Sequence, residues 1–458
     1  MQPTKLGELI KGVAVTKYPD TVITEVTTDS RKATAGSLFV AIVGDNMDGN
    51  DFAAQALQNG AAAAVVSRRC SGGGEQIVVK DTRDALIEMA GNYRARFSPK
   101  VVGVTGSVGK TTTKEMTAAI FEKFGNTLKN EGNQNNEIGL PATLFRMDRQ
   151  TELAVLEMGM NGLGDISKLT RAVRPRVAAI TGIGVSHLEL LGSRENILKA
   201  KLEIIEGLPG DGILVLNGDD ELLMGAREDI EVETVTVAIH NTDCDVVAKD
   251  VMARPRSTEF TIADRANGSF PAMIPCAGNH NVMDALEAYA LATRSGCDPA
   301  ISAAALSDYE LTGMRQRFVD FGGVTVIEDC YNASPDSMRA SLATLAELPV
   351  EGLKVAVLGD MLELGAISRE AHRSIGVEAA KMGIDILLCY GDNMKLCAEG
   401  AAAAGIASAK HFDDKKELAR YLTKTLHTGD AVMFKASRAM ALEEVIEMVY
   451  KAGETGAN

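Results

Sequence analysis

The segment Val101-Val-Gly-Val-Thr-Gly-Ser-Val-Gly-Lys-Thr-Thr-Thr-Lys114 joins an apolar run to a glycine turn and then to Lys-Thr at the head of a helical stretch. Gly106 and Gly109 let backbone N–H groups curl around phosphate oxygens, with Ser107, Val108 and Thr112 completing the loop. A helix N-terminus adds positive potential, and Lys110 can reach the outer phosphates of a nucleotide. The Thr111 hydroxyl suits magnesium. The strict GxxxxGK[ST] pattern fails at one position, where Val104 stands in place of glycine with Gly103 beside it. A glycine turn entering an ordinary helix is the bland alternative. It leaves the coincidence of strand, turn, Lys and Thr without a reason, so nucleotide binding is the expectation.

Downstream, Glu157 ends an apolar run in Val155-Leu-Glu-Met-Gly159, and His187 follows another in Gly184-Val-Ser-His-Leu-Glu189. In a parallel sheet the carboxyl ends of strands gather beside a phosphate loop, so a carboxylate and an imidazole there could hold magnesium. His187 alone reads equally as a structural histidine. Lys199 and Lys201, in Ile197-Leu-Lys-Ala-Lys-Leu-Glu203, read as solvated lysines or phosphate partners. The Asn and His side chains of Gly278-Asn-His-Asn-Val-Met-Asp284 could bond a base edge or cap the Ala-rich helix that follows.

Three α/β units position these groups. Residues 1–98 alternate short apolar runs with helical stretches at 52–59 and 83–97, and Ser98-Pro99 marks a boundary. From 99 to 313, strands at 101–105, 153–156, 177–181 and 213–216 alternate with helices, the rhythm of a parallel sheet with crossovers. Residues 314–458 repeat it as a six-stranded, Rossmann-like open sheet.

The 458 residues carry 47 Lys+Arg and 62 Asp+Glu, a net charge of −15, which disfavours a nucleic-acid binder. Neither a leader-like N-terminus nor an apolar run of about 18 residues is present, so a cytoplasmic protein without a membrane span is expected, working as a monomer. The seven scattered cysteines show no zinc spacing and read as reduced, mostly buried thiols.

The glycine loop, Glu157-Met-Gly, the His187 segment, Ala200-Lys201, Gly278-Asn-His-Asn and the third unit occur in the order seen in the Mur ligase family, which the chain resembles over essentially its whole length. Thr28-Asp-Ser-Arg31, Asn130-Glu-Gly-Asn-Gln-Asn-Asn136, Asp329-Cys-Tyr-Asn-Ala-Ser-Pro335, Gly359-Asp-Met-Leu-Glu-Leu-Gly365 and Lys435-Ala-Ser-Arg438 resemble the member that adds D-alanyl-D-alanine. The Asp-Asn-Pro-Arg motif of the diaminopimelate-adding sibling is absent from the sequence.

The resemblance implies an ATP-dependent, carbon–nitrogen-bond-forming ligase of peptidoglycan precursor synthesis. It would add D-Ala-D-Ala to UDP-N-acetylmuramoyl-tripeptide through an acyl phosphate, with either lysine or diaminopimelate as the third residue. It implies that Ser30 and Arg31 lie near the UDP diphosphate, that Asn135 and Asn136 contact substrate, and that Lys110 and Thr111 hold ATP. One magnesium would sit at Thr111 and Glu157. A second would sit at His187 and Lys201, the latter carbamylated by CO2. Asn279 and Asn281 would contact adenine, Arg315 and Asp329 the phosphates and ribose, and Tyr331, Asn332, Lys435, Ser437 and Arg438 the dipeptide. The family usually has Lys-Gly-Ser-Arg and Tyr-Asn-Ala-Asn where this chain has Ala436 and Ser334, and often His where Asn50 stands. Two rivals are a folylpolyglutamate-type ligase and a P-loop nucleotide switch that makes no amide.

Overall fold

The computed structural model describes residues 1–44, 46–254, 256–311 and 313–456. The first unit holds four parallel strands in chain order, Glu25–Thr27, Ser37–Val40, Ala63–Val66 and Glu75–Val78. The two central strands are buried at every position, as expected for apolar runs covered on both faces. Helix Thr82–Arg94 starts where the Asp81 carboxylate accepts the N–H groups of Arg83 and Asp84.

That helix ties the first unit to the second. Tyr93, fully buried, donates its hydroxyl to Met147 O (2.7 Å) and packs its ring against Phe145. Arg94 Nε donates to Val173 O (2.8 Å), and Gly91 lets the helix approach Ala172, where a Cβ would come within 3.2 Å of the facing Cα. One apolar core therefore runs from Leu6, Leu38 and Val65 through Tyr93 into Leu144, Leu156 and Ile166, across the boundary at Pro99.

The central sheet has nine strands, and the phosphate-loop strand Lys100–Thr105 lies between Leu153–Glu157 and Val177–Ile180, all parallel. The expected parallel sheet needs correction at its far edge. There Ser257–Asp264 runs antiparallel to both Val246–Arg254 and Gly268–Ile274. Ser257–Asp264 alternates half-buried and buried positions, the two-residue period of a strand with one covered face, so its signal was in the sequence. Helix boundaries also shift: the helix expected at 83–97 spans Thr82–Arg94 and stops short of the Pro99 region.

The third unit is the expected six-stranded sheet, in the order Arg317–Phe321, Val324–Glu328, Ala431–Lys435, Lys354–Gly359, Ile386–Tyr390, Ser408–Phe412, with the first antiparallel. It has its own apolar clusters on the two sheet faces. Segments that follow the carboxyl ends of Lys100–Thr105, Leu153–Glu157 and Val177–Ile180 meet those that follow Val324–Glu328, Lys354–Gly359 and Ala431–Lys435. Together they enclose one cleft of about 950 Å³. Among the described residues no helix is long and apolar enough to cross a membrane. The seven cysteines are free, and all but the half-buried Cys70 are buried.

Candidate active site

The phosphate loop is shaped by two glycines. Gly106 (φ +151°) and Gly109 (φ +82°) adopt backbone conformations that side chains disfavour. A Cβ on Gly106 would run into the Thr181 hydroxyl, and one on Gly109 into the Asp284 carboxyl. Lys110 curls back so that Nζ donates to Gly106 O (2.8 Å) and Ser107 O (3.3 Å). Burial lowers its proton affinity; nearby Glu157 opposes that and Arg315 adds to it. Ser107 Oγ is buried without a hydrogen-bond partner, the state expected of a hydroxyl whose partner is a phosphate oxygen.

Glu157, almost fully buried, is fixed from every side. Thr111 Oγ1 donates to its Oε2 (2.8 Å) and Asn135 Nδ2 to its Oε1 (2.7 Å), while Asn130 bonds its backbone N–H and C=O. Lys114, 0% exposed, bonds Asn130 O (2.8 Å) and pairs with Glu115 (2.9 Å). A hydroxyl and a carboxylate in contact, beside a loop built for phosphate, could hold a hard cation whose other ligands are phosphate and water. No cluster of three or more His, Cys, Asp or Glu suited to a metal occurs among the described residues. A cation here would need oxygens from a nucleotide.

The same cleft contains His187 and Lys201. Lys199 is exposed and Lys201 only 1% exposed, which separates the two lysines that periodicity left equal. Lys201 makes no hydrogen bond or ion pair with any described residue, and burial, reinforced by the charge of Lys110, drives its proton affinity far down. Lys201 is thus a buried amine without a protein partner, lining the same cleft as the phosphate loop, where burial disfavours its charged form.

Asn281 is buried and lines the cleft, its Nδ2 donating to Ala277 O (2.6 Å) and Gln316 Oε1 (2.8 Å), so its own oxygen is the atom left for a base. Asn279 is exposed at the helix start and does not line the cleft, against the expectation that both asparagines face it. Arg315 stacks 3.9 Å over the Tyr331 ring. Asn136, Asn332, Ser437 and Arg438 line the cleft; Asn136 Oδ1 also accepts the N–H groups that open helix Gly139–Leu144. Ser30 and Arg31 lie outside it, Ser30 bonded to Gln55 (3.1 Å) and Arg31 paired with Asp29 (2.9 Å).

The departures from the usual motifs are accommodated. Ala436 is not among the described residues with positive φ, and its methyl fills the space a Cβ on Gly359 would take. Ser334 caps helix Pro335–Glu347 through a reciprocal bond with Ser337. Asn50 is buried and bonded to Asp48 and Ser67.

Several groups escaped the sequence reading. Asp284 and Glu287 are buried carboxyls on helix Asn279–Arg294, facing Thr113 of the phosphate-loop helix Lys110–Phe121, and burial pushes both proton affinities well up. Their three-residue spacing from Asn281 put all three on one helix face. Gln316, in a left-handed conformation, bonds Asn281, His280 and Thr344 and so joins helix Asn279–Arg294 to helix Pro335–Glu347 at the linker. Nothing in its sequence setting signals that.

A phosphate loop on a parallel sheet, closed over by a second open sheet across one cleft, defines a nucleotide-binding α/β protein of the P-loop kind. The chain belongs to the Mur ligase family: the Mur ligase family catalytic domain matches residues 22–94, the Mur ligase middle domain 104–292, and the Mur ligase, glutamate ligase domain 314–438. It is 40% identical over 448 residues to the UDP-N-acetylmuramoyl-tripeptide–D-alanyl-D-alanine ligase of Bacillus subtilis (strain 168), covering 96% of both chains. The crystal structure of MurF from Acinetobacter baumannii superposes with a TM-score of 0.91 at 30% identity, over 98% of this chain and 99% of that one. A MurF ligase from Thermotoga maritima in complex with ADP gives 0.83 at 29% identity, over 94% and 98%.

Proposed function

We propose that this chain is the ATP-dependent ligase that joins D-alanyl-D-alanine to UDP-N-acetylmuramoyl-tripeptide in the cytoplasm, releasing ADP and phosphate. The observation that carries the reading is the convergence in one cleft of the phosphate loop with its unpartnered Ser107 hydroxyl, the Thr111–Glu157 pair and the buried, unpartnered Lys201.

The terminal peptide carboxylate attacks the γ-phosphorus of ATP, the bond to the β-phosphate oxygen breaks, and ADP leaves with an acyl phosphate formed. The amine of D-Ala-D-Ala then attacks the acyl carbon, loses a proton, and phosphate departs with the bonding electrons. Bringing a carboxylate against a triphosphate concentrates negative charge, which Lys110 and the N–H groups from Val108 to Thr112 offset. Thr111 and Glu157 would hold one magnesium, and His187 with carbamylated Lys201 a second. These ions supply charge neutralisation and alignment of the phosphates. Arg315 and Asp329 serve the nucleotide from the linker and third unit, Asn281 faces the base, and Asn135 and Asn136 flank the acceptor peptide. Tyr331, Asn332, Ser437 and Arg438 present the dipeptide, with Lys435 held behind them by Asp329. Docking of the third unit over the loop keeps water from the acyl phosphate. Ser30 and Arg31 take the uridine diphosphate end on the first unit. The units so used are 1–98, 99–313 and 314–458.

The test is incubation with ATP, magnesium, D-Ala-D-Ala and each UDP-tripeptide, lysine or diaminopimelate, followed by product mass. Phosphate release that needs both the nucleotide-linked peptide and the dipeptide supports the ligase. Release from ATP alone, with no new mass, points to a nucleotide switch.

A further inference from the structure

The Gly359-Asp-Met-Leu-Glu-Leu-Gly365 segment has no part in the chemistry described so far. It leaves the end of strand Lys354–Gly359 and is clamped ahead of one residue. The Asp360 carboxylate accepts the N–H of Met394 (2.8 Å) at the start of helix Met394–Ala403, and its carbonyl accepts the N–H of Ser437 (3.1 Å). Met361 N–H donates to His372 Nε2 (3.0 Å), and Leu362 N–H to Ser437 Oγ (2.9 Å).

The next residue, Glu363, has φ +63°, one of six non-glycine residues with positive φ among those described. Across the cleft stands another, His187, with φ +64°. Their side chains meet: His187 Nδ1 lies 2.9 Å from Glu363 Oε2, off the line of a straight hydrogen bond. The Glu363 carbonyl also accepts the N–H of Glu189 (3.3 Å), and Gly365 passes so close that a Cβ on it would lie 3.1 Å from Glu189 Cα. Left-handed backbone at an ordinary residue costs on the order of 1–3 kcal/mol and persists where surrounding contacts over-determine it. Here it occurs on both partners of one contact between two units.

We infer that Glu363 is a positioning residue for His187, holding the Nδ1 edge of the imidazole so that Nε2 keeps its lone pair for a cation. The inference rests on the ligase reading proposed above. A carboxylate behind a metal-binding imidazole selects the tautomer and raises the basicity of the ligating nitrogen. Because this carboxylate belongs to the C-terminal unit, the cation site shared by His187 and Lys201 is complete only while that unit is docked.

The test counts Mn2+ bound by the full chain with a non-hydrolysable ATP analogue and UDP-tripeptide in bicarbonate buffer, reading free Mn2+ by electron paramagnetic resonance. Wild type takes up two ions. Glu363→Gln and Glu363→Ala each weaken one site by about 10-fold or more, the usual effect of losing a carboxylate behind an imidazole ligand, and leave the other within twofold. Adding Glu363→Ala to His187→Ala weakens binding no further. Melting temperatures of the variants verify that they fold. Uptake of a single ion by wild type, equal weakening of both sites, or unchanged binding in both Glu363 variants overturns the inference. Product formation by wild type is measured separately: product with unaltered Mn2+ binding in the variants removes this inference alone, whereas no product removes the ligase reading.

Discussion

Lys435 Nζ lies 2.7 Å from Asp329 Oδ2, with both side chains less than a tenth exposed at the cleft floor. Ser341 Oγ bonds the same carboxylate oxygen, and the Gln316 N–H approaches the other at 3.3 Å. Asp329 thus collects the third unit's helix, its last strand and the linker at one carboxylate. Lys435→Met should leave that charge buried and unpaired and cost about 3–5 kcal/mol of stability. The double variant Lys435→Met/Asp329→Asn should recover most of it, read by denaturant unfolding of both proteins. A single variant as stable as wild type would contradict the pairing.

Lys110→Ala should lower turnover by about 10²-fold or more, because one positioned charge opposite transferring phosphate is lost. Its melting temperature should stay close to that of wild type, since Lys110 bonds only loop carbonyls. Steady-state phosphate release measures the first and calorimetry the second.

Lys201→Ala should collapse turnover, and, if Lys201 carries the proposed carbamate, formate or acetate should partly restore it by supplying the missing oxygens. Lys199→Ala should do neither, its side chain being exposed on the opposite side of the same helix Arg194–Leu202. Loss in Lys199→Ala with normal turnover in Lys201→Ala would reverse the assignment.

The Asp284–Glu287 pair carries a pH signature. Burial raises both folded-state proton affinities above ordinary carboxylate values, so the pair's contribution to stability is fully present below about pH 4 and is lost as pH rises through the folded values. Glu287→Gln cannot ionise. The difference in melting temperature, variant minus wild type, should therefore grow more positive from pH 5 to pH 8, by about 2 °C for each kcal/mol released. Parallel curves across that range would show that Glu287 keeps no shifted proton.

Local chemistry made half of the site legible. Gly106, Gly109, Lys110 and Thr111 are contiguous, and each has a physical job that its type announces. Glu157 and His187 follow apolar strands, so sheet topology alone brings them to the loop. Lys201 against Lys199 could not be separated by periodicity, because a choice between two faces of a helix needs to know what packs on each. The burial of Lys201 supplies it. Gln316 and Glu363 were invisible for a different reason: their roles come from left-handed backbone at the meeting of two units, a property of neither segment alone. The antiparallel edge Ser257–Asp264 alternates as a strand should, but alternation carries no direction, and the parallel rhythm before it stops there.

The core that passes through Tyr93 changes how many cooperative blocks the protein contains. Leu38 and Val65 of the first sheet share one buried cluster with Leu144 and Ile166 of the second unit, while the third unit keeps its own clusters. The three units should therefore melt as two blocks, which calorimetry of the full chain checks. Loosening the first would expose the apolar flank of the second, so these two keep a fixed register, whereas the third unit meets them through little apolar packing beyond Val185.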